Sequence, residues 1–506
     1  MNTDENCYDV IIIGSGIGGL VCAATLSREG YNVCLVEKNS SFGGCTQSFN
    51  RKGILIDTGV HYIGGLSENK PLYQIFKYNR VLDQIKLHRM DENAYETIHL
   101  QEKVYQSGMG YEREQEKLSS YFPQHTDEIK SFLKAIQTVG NQLSLENFQK
   151  GIISNNAKNY MQIPASKVIE ETLSDEMLRA VCSGPAIVIA GEYDSTPIYH
   201  LGMVYHSNIT GCYKLVSGSQ QLADAYIAEI RNNGGTTLKD SPVSRICVEN
   251  GLVTGVILEN GCFFKAKYVI SSAHPVETFR ILERTEYIRK SYITRINLLE
   301  NSCGVFTVNL LMKPNQFPYL NSSHLLFESP QCWVHRDRET GKCLCPDCTM
   351  MYTQAQEENG KVSPYTRIIH LMKLMDYSVV KPYSESHYGA RGNDYKEFKE
   401  QVANEMICNA ESYFPGLSSK IEAVYTSSPL TYRDYTATSN GSAFGICTKA
   451  NNLMATLIPS RTRLSNFFLA GQSLVVSGIV GTAVTSLLTC ANLLGESYLA
   501  KKIGYC

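Results

Sequence analysis

Asp9-Val10-Ile11-Ile12-Ile13-Gly14-Ser15-Gly16-Ile17-Gly18-Gly19-Leu20 is the stretch on which the fold turns. An apolar strand, Val10 to Ile13, runs into a glycine-rich turn, and a helical pattern follows through Leu20, Ala23, Ala24 and Leu26. This is a strand–turn–helix opening with G-x-G-x-x-G at its turn. Glycine is needed there for physical reasons. Gly14 makes the tight turn, Gly16 lets a pyrophosphate approach the backbone, and Gly19 lets helix and strand pack closely. Ser15 and Gly18 complete the loop, and phosphates are expected on the unpaired N–H groups of the helix N-terminus. A second strand, Tyr31 to Glu37, ends in a carboxylate 23 residues after Gly14, followed by Lys38. Glu37 is placed to accept ribose hydroxyls and to repel a 2′-phosphate, which favours an ADP-ribose end without that phosphate over NADP.

The chain has 506 residues, 43% of them hydrophobic, enough for a large core and for two domains rather than three. Its net charge is −2 and no basic block stands out, so nucleic acid is not an expected partner. The only early apolar segment is the first strand itself, so no cleavable leader is read there. Seventeen cysteines are scattered, and Cys22, Cys34, Cys247 and Cys490 fall inside expected core elements. That usage argues for a reducing, cytoplasmic compartment rather than a disulfide framework. The apolar stretch from Phe467 to Leu494 is long enough to cross a bilayer. Gly471-Gln472, Ser477-Gly478 and Gly481 break it instead into a short strand, a turn and a helix.

Beyond Glu37, Gly43 and Gly44 offer a second stretch of bare backbone, followed by Cys45 and Thr46, along which a cofactor longer than one nucleotide can continue. The run G-G-C-T-x-S-F, then seven residues, then D-T-G-V-H-Y-I-G-G (Asp57 to Gly65) resembles the FAD-dependent retinol saturase, carotenoid isomerase and phytoene desaturase family. The resemblance returns at the C-terminal end, where a strand reaches Gly471-Gln472 and a helix opens at Gly478-Ile479-Val480-Gly481. In such flavoproteins the strand end meets the pyrophosphate, and the helix start faces the pyrimidine edge of the flavin. The partial positive charge at a helix N-terminus suits negative charge on a reduced flavin. Gln472 stands where many relatives have Asp or Glu. The resemblance also implies a backbone contact from Val243 to adenine. The implied fold is α/β, a Rossmann-type FAD-binding domain of the two-dinucleotide-binding-domain kind with an interleaved α+β substrate domain. We expect residues 1–66, 211–280 and 461–506 in the former, and 67–210 and 281–460 in the latter.

Within the cofactor-binding part, Leu222, Ala223, Tyr226, Ile227 and Ile230 share one face of a helix closed by Gly234-Gly235. Asn250-Gly251 and Asn260-Gly261 punctuate a three-stranded meander over Val243 to Val248, Val253 to Leu258 and Cys262 to Lys265, with Tyr268 onward as a separate returning core strand. The first insertion reads as polar, Tyr-rich helical segments, one of them striped by Ile129, Phe132, Leu133 and Ile136. Its charge run Glu112 to Lys117 reads as a solvated face. The second insertion holds strand-like runs over Gly304 to Met312 and Arg367 to Leu374. Cys332, His335, Cys343, Cys345 and Cys348 lack paired C-x2-C spacing and are read as ordinary thiols in a loop, so no metal is expected.

The family resemblance implies a flavin-dependent oxidoreductase acting on a hydrophobic conjugated polyene, a retinoid or carotenoid, with a C=C bond saturated by hydride from reduced flavin N5. An isomerase or desaturase using the same site is the near alternative. A non-enzymatic lipid-binding protein, as in the Rab GDP-dissociation inhibitors of the same fold, is the distant one. An aromatic cage of the amine-oxidase kind has no support from the single Trp333, although a pair of tyrosines could serve. His61 and Tyr62, just after Asp57-Thr58-Gly59, are the first candidates for proton donor, with His206, Tyr432 and Asp434 behind them. No second nucleotide site is visible, so the electron donor is unassigned, a transient nicotinamide or a partner flavoprotein. A lipid-derived substrate implies peripheral membrane contact.

Overall fold

Strand Cys7–Ile13 is buried from Val10 to Ile13 because it lies at the centre of a seven-stranded sheet, with parallel neighbours on either side. In the computed structural model, which describes residues 6–142, 155–386 and 389–504, the order is Thr236–Leu238, Val33–Val36, Cys7–Ile13, Phe263–Ser271, Leu252–Leu258 and Val243–Glu249. Phe467–Leu469 also joins, pairing in parallel with Val269 to Ser271. Helix Ile17–Arg28 packs on this sheet beside helix Gln220–Asn232 and the C-terminal helix Gly478–Leu494. A continuous apolar run buried on both faces is what a parallel sheet covered by helices demands.

The meander departs from expectation at its third strand. Phe263–Ser271 is one continuous strand, not a hairpin arm followed by a separate core strand. Its first residues pair antiparallel with Gly255 to Ile257, while Lys265 to Ser271 run parallel to Cys7–Ile13.

A second seven-stranded sheet has the order Ile421–Ser427, Gly304–Met312, Ile368–Met375, Cys348–Thr353, Ser323–Phe327, Glu96–Leu100 and Lys103–Ser107. The last two strands form a hairpin inside a stretch whose composition reads as helical. Its turn holds Gln101 at φ 56, a conformation that glycine or asparagine usually signals. The pairing that stabilises it comes from Ser323–Phe327, far away in the chain. A small three-stranded sheet of Ile63–Gly64, Cys212–Leu215 and Leu87–Arg89 lies where chain segments of the two sheets meet.

Helix Thr126–Gly140 buries Ile129, Phe132, Leu133 and Ile136 as its stripe requires. The charge run does not form a wholly solvated face. Glu114, on helix Tyr111–Tyr121, is buried and accepts the Gly108 amide at 2.7 Å. The apolar stretch near the C-terminus resolves into strand Phe467–Leu469 and helix Gly478–Leu494. No helix among the described residues is long and apolar enough to cross a membrane.

Candidate functional site

Three glycine-bearing segments converge at the ends of the central strands. A Cβ added to Gly44 would lie 3.0 Å from Gly16 Cα, and one added to Gly18 would lie 2.8 Å from Gly471 Cα. Gly19 is packed harder still, since its Cβ would fall 1.9 Å from the Gly14 carbonyl oxygen. Gly16 is different, because a Cβ there would meet nothing within 4 Å. It faces a cavity of about 710 Å³, a size that holds a cofactor-sized ligand.

The cavity brings together most of the residues singled out from sequence. Gly14, Ser15, Gly16, Gly18, Glu37, Lys38, Gly43, Gly44, Cys45, Thr46 and Val243 line it, as do Gly471, Gln472, Gly478, Ile479, Val480 and Gly481. His61, Tyr62 and Tyr432 lie on its wall too. Gly19, His206 and Asp434 do not line it. Gly19 serves helix–strand packing. His206 bonds Tyr111 Oη at 2.9 Å and Lys70 Nζ at 3.3 Å, and burial, helped by Lys70, pushes its pKa down to about 4. Asp434 is held by Arg391 and Arg433.

The glycine end is built to receive an anion. Helix Ile17–Arg28 starts at Gly16 and helix Gly478–Leu494 at Ser477, neither with a side-chain cap nor an acidic residue in its first turn. Their first N–H groups and their dipoles therefore remain available to phosphate or to an anionic ring edge. The Glu37 carboxylate accepts the Ser15 amide at 2.9 Å, the Ser15 hydroxyl at 2.6 Å and the Asn39 amide at 2.9 Å. It clamps the glycine turn to the second strand and still borders the cavity. Bare backbone at Gly16, two uncapped helix starts and a carboxylate that lines the cavity fit a dinucleotide such as FAD.

The opposite end of the cavity is apolar, walled by Met203, Val204, Val305, Met350, Met372 and Leu374. Four of these come from the second sheet, in the stretch expected to form the substrate domain, although none of them was singled out from sequence. One polar residue interrupts that wall and a second stands beside it. Tyr352 lines the cavity, and His370 lies opposite it on the next strand. The His61 ring sits 4.9 Å from Tyr352 and 4.2 Å from His370, centre to centre, with both of its nitrogens buried and unpartnered. Burial first, and then the Lys214 ammonium, push its pKa down to about 3, so His61 is a neutral imidazole at physiological pH. Lys214 itself is buried, donating to the carbonyls of Leu320 at 2.7 Å and Thr353 at 3.0 Å. Tyr62 Oη accepts from Asn208 at 3.4 Å, and burial raises its pKa. The Tyr432 hydroxyl lies 3.1 Å from the Thr58 carbonyl and 3.2 Å from Thr307 Oγ1. A histidine and a tyrosine inside otherwise apolar strands were the signal for His370 and Tyr352 that periodicity alone passes over.

The cysteines and histidine of the cysteine-rich loop do not share one surrounding, and Cys343 and Cys345 lie beside Cys303. The Cys332 thiol reaches the Ala180 carbonyl at 3.3 Å, and His335 stacks on Tyr193 at 5.1 Å. Among the described residues no group of three or more His, Cys, Asp or Glu is arranged to hold a metal ion.

Residues 12–78 match the NAD(P)-binding Rossmann-like domain family. Over nearly its full length the chain is similar to an all-trans-retinol 13,14-reductase of Danio rerio, 24% identical, covering 96% of this chain and 86% of that one. It is equally similar to prolycopene isomerase 1, chloroplastic, of an Oncidium hybrid cultivar, 24% identical with 98% and 85% covered. Among solved structures it resembles an oxidoreductase from Methanosarcina mazei, with a TM-score of 0.65, 16% identity and coverage of 95% and 99%. The fold is a Rossmann-type α/β fold, shared with that oxidoreductase.

Proposed function

We propose that the chain is an FAD-dependent oxidoreductase of hydrophobic conjugated polyenes, retinoid or carotenoid, and that it saturates a C=C bond. The observation that carries this reading is the single cavity joining a glycine-walled, anion-receiving end to an apolar end walled by Met203, Met350 and Met372. Similarity to retinol reductases and prolycopene isomerases supports a polyene as the occupant of the apolar end.

When bound in its reduced form, FAD supplies from N5 the hydride that adds to one carbon of the double bond. The protein's own part is to bind, orient and dry. Gly14 to Gly18, Gly43 to Thr46 and Gly471 would hold the cofactor's pyrophosphate and ribityl chain through backbone, Glu37 would take the ribose, and the helix start at Gly478 would stabilise negative charge on the ring. The methionine and leucine walls orient the polyene and exclude water, and flexible Met side chains adapt to a long curved substrate. His61, neutral and unpartnered, can hydrogen-bond but carries no imidazolium proton to give. The one proton that completes the saturation would then come from a phenol or carboxyl near that wall, or from water.

The test is a single turnover. The yellow holoprotein is reduced anaerobically with dithionite and mixed with all-trans-retinol or a carotenoid, and the product mass is read. A gain of two hydrogens is the expected result. An unchanged mass with a shifted absorption spectrum means isomerisation, the reading that similarity to prolycopene isomerases favours next. A loss of two hydrogens with oxidised protein means desaturation. No conversion, with FAD bound, refutes the polyene. Peripheral membrane contact at the cavity mouth follows from a lipid-derived substrate, and co-sedimentation with liposomes checks it.

A further inference from the structure

Glu96 is an unusual residue to find in the second sheet. It is 1% exposed, and neither of its carboxyl oxygens has a hydrogen-bond partner. A buried carboxyl without a partner is costly and is kept protonated by its surroundings. Its place in the register is informative. Glu96 is opposite Ser323, Ser323 is opposite Tyr352, and Tyr352 is opposite His370. Residues opposite one another point to the same face, so these four form a polar row on the face that carries the cavity wall. Glu96 and Tyr352 are two strand spacings apart, roughly 10 Å between backbones. Only the small Ser323 side chain stands between them, which lets a carboxyl and a phenol reach toward each other.

We infer that Glu96 is the proton reservoir of the cavity, delivering through Tyr352 the proton that saturation of a C=C bond consumes. This rests on the function proposed above. As hydride from the reduced flavin bonds to one carbon, the Tyr352 O–H bond breaks and its proton bonds to the other. The Glu96 proton passes to the phenolate oxygen, and the Glu96 carboxylate left behind is reprotonated from solvent before the next turnover. Glu96 touches neither substrate nor cofactor and acts as a positioning residue. Burial and then the Glu114 charge push its pKa up to about 8. The other groups that feel its charge are the phenols of Tyr62, Tyr95, Tyr205 and Tyr352 and the thiols of Cys212 and Cys348, all of which hold their protons more tightly for it. Its fellow acid Glu114, pushed up to about 7 by burial, ionises first.

The experiment compares reduced holoprotein carrying the wild-type sequence, Glu96→Gln or Tyr352→Phe in single turnovers with the polyene across a pH series, and records infrared spectra of each. The wild-type rate is expected to fall as pH rises through about 8, because the acid form is the donor. Both variants are expected to be slowed about 100-fold, the scale of a lost general acid, with substrate affinity retained. Glu96→Gln should also lose that titration, and the component of the protonated-carboxyl absorption that disappears as pH rises through about 8 in the wild type and in Tyr352→Phe should be missing in Glu96→Gln, while the components of Glu114 and Asp57, which titrate lower, remain. Turnover by Glu96→Gln at the wild-type rate and pH profile overturns the reservoir while the saturation reading stands. No wild-type turnover, with the infrared band present, overturns saturation and the delivery step with it. Should Glu96→Gln fail to fold, Tyr352→Phe decides the relay and Glu96→Asp, by restoring a slower titrating rate, decides the acid.

Discussion

Alanine at Gly16 and alanine at Gly19 differ by one turn of helix but should fail in opposite ways. Gly16 is the N-cap of its helix, at φ −59 and ψ 169, a backbone any residue adopts, and its added Cβ meets nothing within 4 Å. Losing glycine as an N-cap costs a few tenths to about 1 kcal/mol. Restricting the unfolded chain returns about 0.4–1 kcal/mol. Gly16→Ala should therefore leave the apoprotein within about 1 kcal/mol of wild-type stability. Its methyl would stand in the cavity where backbone should meet a pyrophosphate, and we expect FAD affinity to drop at least about 100-fold, near 2.8 kcal/mol. Gly19→Ala places a Cβ 1.9 Å from the Gly14 carbonyl oxygen, so helix and strand must part, at a cost of several kcal/mol. Thermal unfolding of the two apoproteins and titration with FAD by flavin fluorescence give both quantities. Gly16→Ala binding FAD as the wild type does would refute the assignment of this end of the cavity to the pyrophosphate.

Further outcomes can be checked in the same preparations. Asp57 accepts the Ser219 amide at 2.7 Å, the Ser48 hydroxyl at 2.7 Å and the Ser219 hydroxyl at 3.0 Å, so Asp57→Ala orphans buried donors and should cost about 3–5 kcal/mol in denaturant unfolding. A loss below about 1 kcal/mol would mean the network is dispensable. The folded Glu96 carboxyl keeps its proton up to about 8, whereas its ordinary value is 4.5, so between these values folding binds a proton and wild-type stability from this group falls as pH rises. The stability of Glu96→Gln relative to wild type should accordingly grow with pH across that window, by up to about 1.4 kcal/mol per pH unit, and level off above it. A difference that does not change with pH would contradict a protonated Glu96. Lys214→Met removes the donor shared by the Leu320 and Thr353 carbonyls and the positive charge that helps to hold His61 neutral. Nuclear magnetic resonance of the His61 ring should show its pKa move upward, and no movement would count against that coupling.

The strand–glycine–helix opening, Glu37 after the second strand, the Gly43-Gly44 pair and the helix start at Gly478 were all legible in the sequence, because each depends on short-range physics. Apolar runs make buried strands, glycines allow tight turns and close backbone approach, and a helix start shows itself by its local pattern. Helix Thr126–Gly140 and strand Gly304–Met312 follow for the same reason. What lies across a sheet from what is another matter. Phe263–Ser271 is one strand because two different partners take its two halves on one edge. Lys103–Ser107 and Glu96–Leu100 are strands because Ser323–Phe327 pairs with the latter. Glu114 is buried although its neighbours in sequence are charged, and His206 turns to Tyr111 and Lys70 instead of the cavity. The row of Glu96, Ser323, Tyr352 and His370 exists only through strand register. Register is set by pairing between segments distant along the chain, so tertiary structure alone lined up an acid, a phenol and an imidazole on the sheet face that walls a cavity whose glycine end the sequence had already outlined.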